Sequence, residues 1–126
     1  MIRSVGIDII EVSRMRSALR RHAERFCERV FTLEERALAP GEGADAAPFF
    51  AGRWAVKEAV AKALGTGIGA DCAWTDICVL RGPAGEPHVD LRGNAAATAR
   101  RLGIARLHIS ISHIKHTACA VAVAED

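Results

Sequence analysis

At 126 residues, half of them hydrophobic and a quarter charged, the chain suits one domain, residues 1–126, with a packed core, and it is too apolar to stay disordered. No apolar run approaches the length of a membrane helix and no basic segment leads into a long apolar region, so neither insertion nor export is expected and the protein reads as cytoplasmic. A net charge of +2 is slight for a nucleic-acid binder, but it is unevenly spread, with four arginines and no acid between Ser13 and Arg21.

Ile2 to Ile10 alternates as a strand does, with Val5, Ile7 and Ile9 on one face and Ser4, Gly6 and Asp8 on the other. The acid is out of place. Strands are depleted in Asp, and a buried carboxylate is costly unless it is paired or metal-bound. Asp8 therefore either ends the strand or caps a turn, or it faces a ligand that the small Gly6 and Ser4 allow to approach. Ser13 is placed to N-cap a helix whose apolar stripe is Met15, Leu19, Phe26 and Val30, with His22 on it too. On a continuous helix Arg14, Arg21 and Arg25 fall within about 40° of one another. Such a row is either a solvated face or a docking strip, since planar guanidinium groups suit the carboxylates of an acidic partner. No exposed aromatics interleave it, which argues further against nucleic acid.

Thr32-Leu33-Glu34-Glu35 matches a capping box and opens a short helix that stops at Pro40-Gly41. After the loop PGEGADAAP, Asp45 and Pro48 introduce the element around which the chain is organised, a helix expected from 49 to 64. It is rich in Ala, Val and Leu and carries only four charges, Arg53, Lys57, Glu58 and Lys62. Glu58 and Lys62 lie about 40° apart, with Trp54 and Gly65 projecting to the same side. Two readings stand: an exposed i,i+4 ion pair worth about 0.2–0.5 kcal/mol, or a carboxylate for a metal beside an ammonium for a phosphate. The following GTGIG could let backbone approach a ligand, or its first glycine could be a C-cap. It is no dinucleotide fingerprint, which must follow a strand and open a helix.

The second half reads as strand Thr75 to Arg81, turn Gly82 to Glu86, strand Pro87 to Leu91, helix Gly93 to Leu102, a half-buried strand around Leu107, Ile109 and Ile111, and a last strand from His116 to Ala124. The alternating alanines of that last strand imply that something packs close to it. Cys27, Cys72, Cys78 and Cys119 form no CxxC and complete no zinc spacing, so free thiols are expected.

Taken together, GIDIIEVSR near the start, FFAGRWAVKEAVAKALGTGIG in the middle and SISH at 110–113 closely resemble the holo-(acyl carrier protein) synthases, the short bacterial type of 4′-phosphopantetheinyl transferase. That family's pattern is G-[IV]-D, then F-x-x-[WF]-x-x-K-E-A-x-x-K-A-x-G, then S-[LIV]-S-H, in this order over this length. The resemblance implies an α+β fold, an antiparallel sheet packed on a long central helix. It implies transfer of the phosphopantetheine arm of coenzyme A to a serine of apo acyl carrier protein, with Mg²⁺, in a trimer that holds coenzyme A between protomers. Carried onto this sequence, Asp8 and Glu58 are the metal carboxylates, and Arg53, Lys62, Gly65, Ser112 and His113 contact coenzyme A. Lys62 would also stabilise the leaving group, and Arg14, Arg21 and Arg25 would meet the acidic carrier. The serine proton has three possible acceptors: His113, Glu58 or a metal-bound water. His108 and His116 read as strand residues facing solvent or a neighbouring subunit.

Overall fold

A helix that is apolar on nearly every side has to be surrounded, and α3, Ala47–Ala63, is: twelve of its 17 residues are buried. The computed structural model describes all of residues 1–126. In chain order it contains β1 (Ile2–Glu11), α1 (Val12–Val30), α2 (Leu33–Ala37), α3, a 3₁₀ turn (Trp74–Asp76), β2 (Ile77–Arg81), β3 (Pro87–Leu91), α4 (Gly93–Arg101), β4 (Arg106–His113) and β5 (Thr117–Glu125). The expected α+β architecture is present: β1, β5 and β4 form an antiparallel sheet packed on α3, while β2 and β3 form a separate ribbon. The helix starts slightly earlier than expected, with the Asp45 carboxylate accepting the Ala47 N–H at 3.1 Å and Pro48 in the first turn.

Small side chains decide how closely sheet and helix approach. Ala118, Ala120, Ala122 and Ala124 of β5 are buried under α3, so the helix is what packs against that strand. Ser4 and Gly6 of β1 do the same: the Ser4 hydroxyl donates to the Ala63 carbonyl, and a Cβ on Gly6 would lie 1.9 Å from the Ala59 carbonyl oxygen. The room that Gly6 leaves beside Asp8 is filled by the protein's own helix. The alternation in β1 is as expected, but its apolar half faces outward: Val5, Ile7 and Ile9 are 59, 65 and 70% exposed. In register with them across β5 stand Val123, Val121 and Cys119.

Three local expectations are corrected. Ser13 caps nothing: α1 begins at Val12 directly out of β1, and its first N–H donates to the His116 carbonyl. Nor is α1 continuous, because Ala23 has φ 38° and ψ −121°, a kink that takes Arg25 off the face of Arg14 and Arg21 and leaves His22 exposed rather than in the apolar stripe. The stretch before β2 curls into the 3₁₀ turn because the Asp76 carboxylate accepts the N–H groups of Ala73 and Ala95. The capping box of α2 is formed in both directions, and all four cysteines are free.

Candidate active site

Where β1 lies against α3, the two acids that sequence singled out open into one cleft of about 410 Å³. Asp8 and Glu58 line it together with the cations Arg14 and Lys62, and Ile10, Met15, Phe26 and Trp54 form its apolar wall. Trp54 is fixed between Phe26, with ring centroids 6.0 Å apart, and Trp74, 4.2 Å apart. Lys62 makes no ion pair with Glu58. It crosses to the strand, where its Nζ donates to the Ile7 carbonyl at 2.8 Å and to Asp8 Oδ1 at 3.2 Å. Glu58 is thereby left without a cation of its own. Partial burial, and then the neighbouring charge of Asp8, push its carboxyl above the usual range, with Lys62 pulling the other way.

Two facing carboxylates, one of them lacking a counter-charge, suit a hard divalent ion. No third His, Cys, Asp or Glu joins them to make a cluster of three. A two-carboxylate set fits Mg²⁺, which keeps several waters and completes its shell with phosphate oxygens.

The remaining expected coenzyme A residues are elsewhere. Arg53 and His113 line a second hollow, with Arg81, Gly85, Pro87 and Ile111 and no carboxylate. Arg53 is 9% exposed, lies over the Phe49 ring at 4.1 Å and has a buried Nε with no hydrogen-bond partner. Burial, and then the like charge of Arg81, lower its proton affinity. Ser112 is exposed on the outer face of the sheet, in register with Cys119. Gly65 follows α3 with φ +77°, a backbone conformation that favours glycine. Arg21 shares a shallow depression with Arg14, Ser17 and Ala18, whereas Arg25 lies past the kink beside Phe26 and Arg29.

Sequence reasoning missed two groups. Arg81 gave no signal, because the end of a hairpin strand is an ordinary place for an arginine. Lys57 did: it is a charge on the most apolar side of an apolar helix, and its burial pairs it with Glu35 of the capping box at 2.8 Å.

Comparison with known proteins decides the family. Residues 4–122 match the model of the 4′-phosphopantetheinyl transferase superfamily. The chain is 48% identical over 124 residues to the holo-(acyl-carrier-protein) synthase of Alkaliphilus metalliredigens, covering 98% of this chain and 99% of that one. It belongs to that superfamily, among its holo-(acyl-carrier-protein) synthases. The crystal structure of the synthase from Neisseria meningitidis superposes with a TM-score of 0.91 at 31% identity over the whole of both chains. The synthase from Bacillus anthracis, solved in complex with CoA (3′,5′-ADP), has a TM-score of 0.81 at 38% identity, covering 98% of this chain and 96% of that one. No helix of this synthase is long and apolar enough to cross a membrane.

Proposed function

We propose that the cleft between β1 and α3 is the reaction centre for the activity of this family, transfer of the 4′-phosphopantetheine arm of coenzyme A to a serine hydroxyl of apo acyl carrier protein. In that reaction the serine oxygen forms a bond to the phosphorus bearing the arm, the pyrophosphate P–O bond breaks, and 3′,5′-ADP leaves while the hydroxyl proton passes to a base. The observation that carries this reading is the convergence of Asp8, Glu58 and Lys62, from a strand and a helix far apart in sequence, on one cleft.

Asp8 and Glu58 would hold Mg²⁺, which when bound supplies positive charge to the phosphate oxygens. Lys62 has two of its three N–H groups engaged and one left for a phosphate oxygen, so an ammonium stands where charge shifts onto the leaving nucleotide. Of the possible bases, Glu58 shares the cleft. His113 of the same chain opens into the other hollow. Arg14 at the cleft, with Arg21 beside it, would meet the acidic carrier; Arg25, beyond the kink, contributes less.

One chain thus carries two half-sites, a carboxylate cleft and an anion-binding hollow with Arg53, Arg81 and His113. An exposed apolar sheet face, Val5, Ile7 and Ile9 beside Val121 and Val123, needs a cover. Association of copies through this face into a trimer would bring the hollow of one against the cleft of the next, with coenzyme A, and Ser112 at the rim, between them. The alanine side of β5 has no part in this, since α3 already covers it. Incubating the protein with apo carrier protein, coenzyme A and Mg²⁺, then weighing the carrier, tests the activity. The carrier should gain the mass of one phosphopantetheine arm, and no gain with wild type, or full gain with Asp8→Ala, would reject the site.

A further inference from the structure

Directly behind Glu58, facing away from the cleft, Lys57 and Glu35 form an ion pair in which both side chains have no exposed surface. Each is fully satisfied. The three N–H groups of Lys57 go to Glu35 Oε1 and to the carbonyls of Trp74 and Ile77. Glu35 also accepts the N–H groups of Thr32 and Val79. A buried pair of this kind is weak evidence for stability, because desolvating two charges cancels most of their attraction. Its directional bonds to α2, the 3₁₀ turn and β2 therefore call for another account.

The helix supplies one. Past its first turn, α3 is buried except along its Trp54–Glu58–Lys62 side, and it carries alanine at 47, 51, 55, 59, 61 and 63. β1 seats it on the sheet side, and toward α2, the 3₁₀ turn and β2 the pair supplies its directional bonds. A turn of about 10° would shift a carboxylate at its surface by about 1 Å, and such misplacement can cost about 100-fold in rate. Resting on the metal-site reading above, we propose that the Glu35–Lys57 pair is a positioning device. It locks the rotation of α3 so that Glu58, the next residue, meets Asp8. Through the Trp74 carbonyl it also seats Trp74 against Trp54, the wall of the cleft.

The test uses the full-length chain with Lys57→Met/Glu35→Gln, which removes both charges together, and Val60→Ala as a control that thins the core of the same helix and leaves the pair intact. Mn²⁺ binding is read by electron paramagnetic resonance with coenzyme A present. The mutual arrangement of Trp54 and Trp74, the only two tryptophans, is read by near-ultraviolet circular dichroism without metal. The double variant should bind Mn²⁺ about 10–100-fold more weakly, lose kcat with KM for coenzyme A within about twofold, and show an altered tryptophan signal. Val60→Ala should lose melting temperature and keep all three. Should the double variant not fold, Glu35→Asp keeps both charges but draws the carboxylate back by one methylene, and it should show the same changes in smaller measure. Wild-type Mn²⁺ affinity and tryptophan signal in either folded variant would overturn the proposal. A wild type that takes up no Mn²⁺ would instead refute the metal site on which it stands.

Discussion

Gly6→Ala offers the sharpest test of how the cleft is built. A Cβ at Gly6 would lie 1.9 Å from the Ala59 oxygen and 2.8 Å from the Ala63 nitrogen. Both are backbone atoms of α3, so no side chain can swing aside, and strand and helix must part by about 1 Å or more to restore ordinary contact. Overpacking of this kind costs about 1–3 kcal/mol, and the absence of a flexible neighbour places this case near the upper end. For a chain of this size about 3 kcal/mol lowers Tm by roughly 10–15 °C. The parting also carries Asp8, two residues along, away from Glu58, so kcat/KM should fall about 100-fold. Calorimetry and steady-state kinetics well below the new Tm separate the two losses. A variant with the Tm and kcat of wild type would refute the seating of α3 on β1.

Glu58→Gln keeps shape and loses charge, so turnover should fall by at least about 100-fold, and near-normal kcat at ordinary Mg²⁺ would reject Glu58 as a metal ligand. Ile7→Glu puts a charge in the middle of the exposed apolar sheet face; by size-exclusion with light scattering it should yield folded monomers that transfer nothing, and an active monomer would reject a site shared between copies. Arg14→Glu and Arg21→Glu should raise KM for the carrier but not for coenzyme A, with the difference narrowing as salt rises, because exposed charges are screened over about 8–10 Å; Arg25→Glu should do less. Arg92 donates to Glu34 at 2.6 Å and holds its carboxyl below the ordinary glutamate range, so this stabilisation is complete at and above that range and is lost as pH falls through the lowered one. Arg92→Met should therefore be less stable than wild type at pH 7, with a gap in chemical-denaturation midpoint that closes in acid, and a constant gap would contradict the coupling.

What could be read in the sequence was whatever depends on local pattern. The capping box at Thr32 and Glu35, the β2–β3 hairpin and the alternation of β1 follow from spacing within a few residues, whereas the roles read for Asp8, Glu58 and Lys62 come from the resemblance of three motifs to a family and not from their spacing. What stayed hidden depends on which neighbour arrives. The outward Val5, Ile7 and Ile9 and the inward Ser4, Gly6 and Asp8 have the same period, and only the packing of α3 says which half is inside. The Glu58–Lys62 spacing is that of a helical ion pair, yet Asp8, from another element, takes the ammonium instead. The arginine row assumed a continuous helix, and nothing in RRHAERF announces that Ala23 will adopt a positive φ, since alanine is among the best helix formers.

The kink bears on where an acidic carrier can dock. Because β1 runs into α1 without a loop, Asp8 and Arg14 lie on either side of one short bend and face one cleft. Charge on α1 is not uniformly available: Arg16 is already engaged by Asp45, and past Ala23 the backbone turns Arg25 toward Phe26 and Arg29. The positive surface that begins at the cleft runs from Arg14 to Arg21 with Ser17 and Ala18 between them, is flanked by Arg20, and reaches Arg25 and Arg29 only across His22. A continuous helix would have carried it on to Arg25 and offered a carrier several offset registers. A strip about two turns long, anchored at one end on the proposed metal site, offers few. Over distances comparable to the screening length, its attraction is strongest for a partner whose acidic surface already overlies the cleft. On the docking proposed above, the break at Ala23 would turn a general attraction for acidic surfaces into a preference for one docking position.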